Sequence, residues 1–508
     1  MITDSEPSTG ISLKTALTVP IRLLDCWARE RGVTVGATLE VLRLRVVHRR
    51  KTGPQNQAME HVITQEMSKS ERVVVVSPEA KKTGYPTAWL CWSIWALAAL
   101  FYLTGFYQRV SPAVMTDELM RAFSIGAASL GNLSAFYYYC YLAMQIPTGI
   151  LIDSWGARKL LITGSIAAGV GTILFASTDS FALACLGRAI IGASTAVGWV
   201  TLLTLTTHWF PARRFAMLSG LGLLFGNLGA LFAQVPLRIA IQHFGWRPVV
   251  FASASVVLGI GALSFFFVKN DPIDCGHCSY APPEVHRSDA SVVERLKGFS
   301  RIFGYRNTWL IFLAQGGIVG SILSFTGLWG APFLRARFGL QPTTAAEACS
   351  VMIVCWAVAS PICGALSDRI GRRKPIYVGG CIVAALGWTS MFYLASLPLA
   401  AFVVISAVTA FASGAVVIGF AYAKESVPPQ FLGSISGTVN IGNMVGPTLL
   451  QPTIGWVLDR HWTGQLNKGV HVYNVHAYQL AFALMVGWLC VSILLLSLTR
   501  ETRCRQSA

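Results

Sequence analysis

The chain has 508 residues, of which 54% are hydrophobic and 12% charged, with a formal net charge of +17 and a mean hydropathy of +0.55. Soluble domains carry about 25% charged residues, so this composition excludes a secreted or cytosolic globular protein and also a disordered chain. An excess of 40 Lys and Arg over 23 Asp and Glu would suit a nucleic-acid partner, but few polar surfaces remain to bind one; the positive-inside bias of membrane proteins explains the basic charge better.

Residues 1–87 hold 13 Lys/Arg and 9 Asp/Glu and no long apolar run. They read as a disordered cytoplasmic tail. The alternatives are a basic membrane-surface helix ahead of Arg43, Arg45, Arg49, Arg50 and Lys51, or a native start at Met59 or Met67. After Pro86 come twelve apolar blocks, at 88–110, 127–151, 160–178, 181–206, 216–238, 248–268, 308–333, 344–366, 375–397, 399–422, 433–457 and 475–498. Each is close to the 20 or so residues that cross a bilayer as a helix, which predicts an all-α membrane protein of twelve transmembrane helices. Trp89, Trp92, Trp246, Trp309, Trp329 and Trp462 near block ends read as interfacial aromatics.

The longest polar break after the tail, 269–307, divides the membrane part into two six-helix bundles, 88–268 and 308–498, with 499–508 as a C-terminal tail. With the N-terminus inside, the cytoplasmic loops and C-terminal tail hold 18 Lys/Arg and the opposite loops 7. That bias places both termini in the cytoplasm, of a bacterial inner membrane, with the lipid bilayer as surroundings.

The halves share a signature. Gly149-Ile-Leu-Ile-Asp153-Ser-Trp-Gly156-Ala-Arg158-Lys159 follows the second block, and Gly364-Ala-Leu-Ser-Asp368-Arg369-Ile-Gly371-Arg372-Arg373-Lys374 follows the eighth, 215 residues later. Duplication on this scale is how many secondary transporters are built. The sequence here resembles the major facilitator superfamily, whose loop motif reads G-x-L-x-D-R-x-G-R-[R/K]; the second copy matches at every fixed position and the first has Ser154 in place of Arg. The resemblance covers about 88–500 and implies two pseudo-symmetric bundles working by alternating access. It further implies that Gly149, Asp153 with Arg158, and Gly364, Asp368 with Arg369, Gly371 and Arg372 form a latch at the cytoplasmic helix ends. Plain positive-inside anchoring is the other reading of these charges.

Polar residues inside the blocks mark a cavity, because lipid penalises them. Arg188, in Arg188-Ala-Ile-Ile-Gly192, is expected to face the bundle interior, as a cavity or coupling residue or as a structural one. Arg109 resembles the first-helix Arg of organic-phosphate and organic-anion carriers, although sugar-acid carriers usually have an acidic residue where Gln108 stands; snorkelling to the surface is the alternative. Tyr137, Tyr141, Gln145 and Gly149 recur every fourth residue on one helix face. Gln315, Asn440 and Asn443 are candidates of the same kind, for substrate contact or interhelical bonding.

Of the 14 Asp and Glu after residue 87 none lies mid-span, and no His does. This favours uniport or exchange over proton symport, whose alternative carriers are Glu347, Glu425 or the substrate itself. Cys275-Gly-His277-Cys278 reads as a plain loop, with a zinc site using His277 or His286 as the minor alternative. No cofactor, metal or catalytic motif is implied. The expectation is a monomeric carrier of a small polar, anionic solute such as an organic acid, phosphate ester or dipeptide; Val110–Met120 also resembles bacterial relatives of lysosomal dipeptide carriers. A non-transporting solute sensor of the same fold is the alternative class.

Overall fold

A computed structural model describes residues 84–281, 301–428 and 431–505; the readings of the N-terminal tail and of His286 lie outside them. The chain is helical because a segment in hydrocarbon must satisfy its backbone internally. Helix α1 is Ala88–Val110, followed by a 3₁₀ turn at Ser111–Val114 and the short α2, Thr116–Phe123. Then come α3 (Ala127–Ser177), α4 (Phe181–Thr195), α5 (Val197–Trp209), α6 (Phe215–Phe232), α7 (Val235–Phe244) and α8 (Trp246–Phe267). The second half has α9 (Arg306–Ser324), a π-helical turn at Phe325–Trp329, α10 (Gly330–Phe338), α11 (Pro342–Ile370) and α12 (Lys374–Tyr393). It continues with α13 (Leu399–Ser413), α14 (Ile418–Glu425), α15 (Leu432–Arg460), a hairpin of β1 (Leu466–Asn467) and β2 (Val470–His471), and α16 (Val475–Ser497).

Among the described residues ten helical stretches are long and apolar enough to cross a membrane. One of them, α3, runs over 51 residues, but Gly156 divides it into two helices joined at a kink, and it supplies two crossings. The polar loop expected at 152–159 is therefore a one-residue break: Gly156 adopts φ +79° and ψ 165° inside an otherwise continuous helix. The twelfth crossing is α15, whose Asn440, Asn443, Gln451, Pro447 and Pro452 dilute its hydropathy. The chain is thus an all-α membrane protein of twelve transmembrane helices in two six-helix bundles. Several helices outrun their apolar blocks, as α11 does to reach its left-handed C-cap at Gly371. Hydropathy marks the lipid-facing middle of a helix, whereas its charged ends continue into the headgroups. Trp329 corrects the interfacial assignment: it is 1% exposed, sits in the π turn, and donates its indole N–H to the Gln451 carbonyl at 3.1 Å.

Two ends can be told apart by the loop signature: a motif end, carrying Gly156 and Gly371, and a far end. One apolar core runs through the second half and continues into the far end of the first, through Leu130, Tyr138 and Phe175. A separate core, with Leu160, Trp209 and Val268, fills the motif end of the first half. The far end is also fastened by polar bonds between the halves. Arg335 pairs with Asp117 at 2.6 Å, and Gln234 Nε2 donates to the Thr326 carbonyl at 2.9 Å. The Ala127 and Ala128 N–H groups donate to the two oxygens of Asp459 at 2.9 and 2.8 Å. Asp459 thus caps the positive N-terminus of α3 from across the seam; Gly126 makes room, since a Cβ there would lie 2.8 Å from the carboxylate.

Candidate functional site

Three helices of the first half bring the site together. Close approach comes first. Gly192 on α4 packs so tightly on α3 that a Cβ would fall 2.0 Å from the Tyr137 carbonyl oxygen. That contact, four residues after Arg188, sets Tyr137 over the guanidinium: Arg188 Cζ is 5.2 Å from the Tyr137 ring centre. Arg109 from α1 takes a position 5.5 Å from the same ring, with Tyr141 at 4.9 Å and Phe106 at 4.4 Å. The Tyr137 and Tyr141 rings are stacked at 6.0 Å, as their four-residue spacing requires. Tyr137 is fixed in turn: its hydroxyl donates to the Gly105 carbonyl at 3.2 Å and accepts from Thr195 Oγ1 at 2.9 Å.

Both guanidinium groups are inside the bundle, Arg109 3% and Arg188 1% exposed. Arg188 Nη1 donates to the Gln108 carbonyl at 2.7 Å, while its Nε and Nη2 have no partner, nor does Nε of Arg109. Among the described ion pairs neither Arg meets a carboxylate. Aromatic faces attract a desolvated cation by about 2 kcal/mol, less than the several kcal/mol that burying an ion costs. An unpaired pair of buried cations is therefore an arrangement that an anion would complete. Gln108 contributes through its backbone, and its side-chain Nε2 donates to Thr172 Oγ1 at 2.7 Å. The sequence reading did not single out that carbonyl, since backbone acceptors carry no residue signature.

The other polar candidates make no described contact with either guanidinium group. Asn440 Nδ2 donates to Gln145 Oε1 at 3.0 Å, a bond between the halves. Gln315 is buried on α9 with its Oε1 unpartnered. A Cβ on Gly419 would meet both its Nε2, at 2.0 Å, and the Tyr377 hydroxyl, at 3.1 Å. Tyr377, also buried with an unpartnered hydroxyl, was missed because a single Tyr in an apolar helix looks like packing. Asn443 is buried with its Oδ1 unpartnered.

At the motif end the register of the repeat sorts the charges. A spacing of 215 places Arg158 opposite Arg373, and each anchors its own half. The Arg158 N–H donates to Asn270 Oδ1 at 2.8 Å, and its Nη2 to the Phe265 carbonyl at 2.8 Å. Arg373 pairs with Asp368 at 2.6 Å and Glu425 at 2.7 Å. Burial opposes the Arg373 charge, but the Glu425 and Asp368 bonds outweigh it and hold the group protonated. The described partner of Asp368 is thus Arg373; Arg369 and Arg372 are exposed. Gly371 makes the left-handed turn at φ +69°, whereas Gly149 has open space where a Cβ would go and Gly364 only ordinary contact. Asp153 is exposed on the last turn before the Gly156 break.

The segment after the sixth crossing docks on the motif turn through Asn270, and that after the twelfth through Glu501. Burial would raise the Glu501 carboxyl, but N–H donors of Arg373, Arg503, Lys374 and Thr502 outweigh it and lower its pKa. In the first half Asp271 accepts from Ser279 Oγ at 2.8 Å and lies 2.6 Å from His208 Nδ1. Cys275 and Cys278 are free thiols in that segment, and no metal-binding group of three side chains occurs among the described residues.

The profile described as the Major Facilitator Superfamily matches residues 94–334 and 317–506. The chain is 24% identical over 286 residues to the "Probable sulfoacetate transporter" of Cupriavidus necator, covering 55% of this chain and 65% of that one. It is 20% identical over 426 residues to the "Probable galactarate/D-glucarate transporter" of Escherichia coli K12, covering 76% and 91%. A bacterial homologue of the human lysosomal transporter Spinster has a similar fold, with a TM-score of 0.66 at 14% identity, over 81% of this chain and 97% of the other. A family match that runs through both halves, on top of the duplicated loop signature, settles where this multi-pass integral membrane protein stands: the chain belongs to the Major Facilitator Superfamily.

Proposed function

We propose that this protein carries a small organic anion across a bacterial inner membrane by alternating access, as a monomer with both termini in the cytoplasm. The observation that carries the reading is the pair of buried, carboxylate-free guanidinium groups of Arg109 and Arg188 around Tyr137. An anion entering from the motif end would complete the unpartnered Arg N–H groups, and charge-assisted bonds of this kind contribute about 1.5–3 kcal/mol each. The solutes in the relatives' names, sulfoacetate and galactarate or glucarate, are organic anions. With the motif end cytoplasmic, the bonds at the far end support a carrier closed to the outside, in which the Asn440–Gln145 bond is one the halves would release to open inwards. The Asp153 and Asp368 loops would then change partners when the inner end closes. Uniport or exchange is the favoured mode, since no carboxylate or His sits mid-span to carry a proton.

Reconstitution tests this. Proteoliposomes preloaded with unlabelled glucarate or sulfoacetate are expected to take up the labelled form of the same anion. Imposed pH gradients should leave the initial exchange rate within about twofold. Uptake of a neutral hexose in preference to both anions would overturn the substrate class. Accumulation driven by a proton gradient without internal anion would overturn the exchange mode.

A further inference from the structure

A cavity opens at the far end, with none of Arg109, Tyr137 or Arg188 in its lining. Its volume is about 390 Å³, within the range of small-ligand sites. Both halves build it: Asp117 and Arg121 come from α2, Arg335 from α10, and Lys468 and His471 from the hairpin. Three permanent cations therefore line it against one carboxylate. That carboxylate is committed, because Asp117 already pairs with Arg335 at 2.6 Å. Arg121 uses Nε on the Lys468 carbonyl at 3.4 Å, so its two terminal nitrogens remain for a ligand. Lys468 shows no described ion pair and occupies a left-handed backbone position, φ +50°. Such a non-glycine conformation persists only where its surroundings hold it. Here the two-residue strands hold it, with His471 stacked on Trp462 at 3.8 Å. The hairpin thus presents a cation to the cavity mouth from a two-residue turn in which Lys468 and Gly469 both have positive φ, as that class of turn requires.

We propose that this cavity is a second anion site, taking a small solute with two or more carboxylate groups, and that its occupant stabilises the far end in its closed form. The floor is the seam itself, with Trp329 from the second half and Leu130 from the first, and Asp459 fastens the same seam nearby. A ligand bridging Arg121 and Lys468 in this form loses one wall when the halves part. Linkage then requires it to favour the closed form by its difference in affinity between the two. The site is separate from the Arg109 pair, so it stands or falls independently of the transport reading.

The test uses the full-length purified protein, citrate as probe, and constant ionic strength. Calorimetric titration of wild type is expected to resolve two citrate sites. Arg109→Ala should retain one of them, and Arg121→Gln with Lys468→Ala should weaken that one by about two- to thirtyfold, as two lost ion contacts near a protein surface would. Hydrogen exchange supplies a second readout: citrate should slow exchange of the Ala127 and Ala128 amides in Arg109→Ala and leave it unchanged in the variant altered at 121 and 468. Lys468→Arg should keep the effect. Citrate binding in Arg109→Ala that is indifferent to residues 121 and 468, or no citrate binding in that variant at all, would overturn the proposal. Loss of the Arg109-dependent site alone would bear on the transport reading and not on this one.

Discussion

Replacing Arg109 by alanine is expected to abolish anion exchange in proteoliposomes and to weaken binding of the transported anion by roughly 2–5 kcal/mol, the usual cost of truncating one partner of a buried charge pair. That is roughly a thirtyfold to several-thousandfold loss of affinity. Arg109 has no hydrogen-bond partner in the protein for its Nε, so its removal leaves no orphaned protein acceptor, and thermal stability without ligand should hold or rise. Burying an unpaired ion is costly, which makes a stable but inactive variant the expected signature of a binding residue. Arg109→Lys should recover little, because a point charge does not reproduce the planar fork. Arg188→Ala should differ: Nη1 ties α4 to the Gln108 carbonyl at 2.7 Å, so this variant is expected to lose melting temperature as well as binding. Isothermal titration and a melting curve on the same preparations separate the two residues; equal affinity in wild type and Arg109→Ala would refute the assignment.

Asp459→Ala is expected to open the far end. The carboxylate satisfies two N–H groups at the start of α3 and accepts from Tyr473. Its loss should cost about 1–2 kcal/mol by the usual measure of a helix cap, which shifts a two-state equilibrium about five- to thirtyfold. Hydrogen exchange should report it directly, with the Ala127 and Ala128 amides deprotected while the motif-end amides of Arg373 and Lys374, held by Glu501, stay unchanged. Asp459→Asn should lie between, since Asn still caps but carries no charge. Uniform deprotection along the chain would mean that the variant has simply lost stability.

Much of this architecture is legible in the sequence because lipid imposes few solutions. The apolar blocks give the helices, the 215-residue repeat gives the two halves, and the cost of a lipid-facing guanidinium places Arg188 inside. The four-residue spacing of Tyr137 and Tyr141 gives their shared face. What stays hidden depends on direction and on backbone atoms. Gly156 breaks α3 in one residue, because a single positive φ does what a polar loop would do. Arg373, and not Arg369 or Arg372, meets Asp368, since Arg369 ends α11 exposed while the Gly371 turn leaves Arg372 exposed and Arg373 buried ahead of α12. Asp459 carries no signal in the sequence beyond being one of the acidic residues outside the blocks, and its meaning rests on the helix N-terminus that the fold brings to it. The Gln108 carbonyl and Tyr377 escaped for the same reason: one has no side-chain signal, and the other looks like any packed aromatic.

The central claim is that Arg109 and Arg188 form an anion site completed by the solute. The most direct measurement is an experimental structure of the protein with glucarate or sulfoacetate, whichever binds more tightly in titration. The expected result is an anionic group of the ligand within hydrogen-bond distance of both guanidinium groups, on the nitrogens the protein leaves unpartnered, with Tyr137 stacked between the two cations. A ligand bound elsewhere in the transport path, with a protein carboxylate turned onto either Arg, would contradict it.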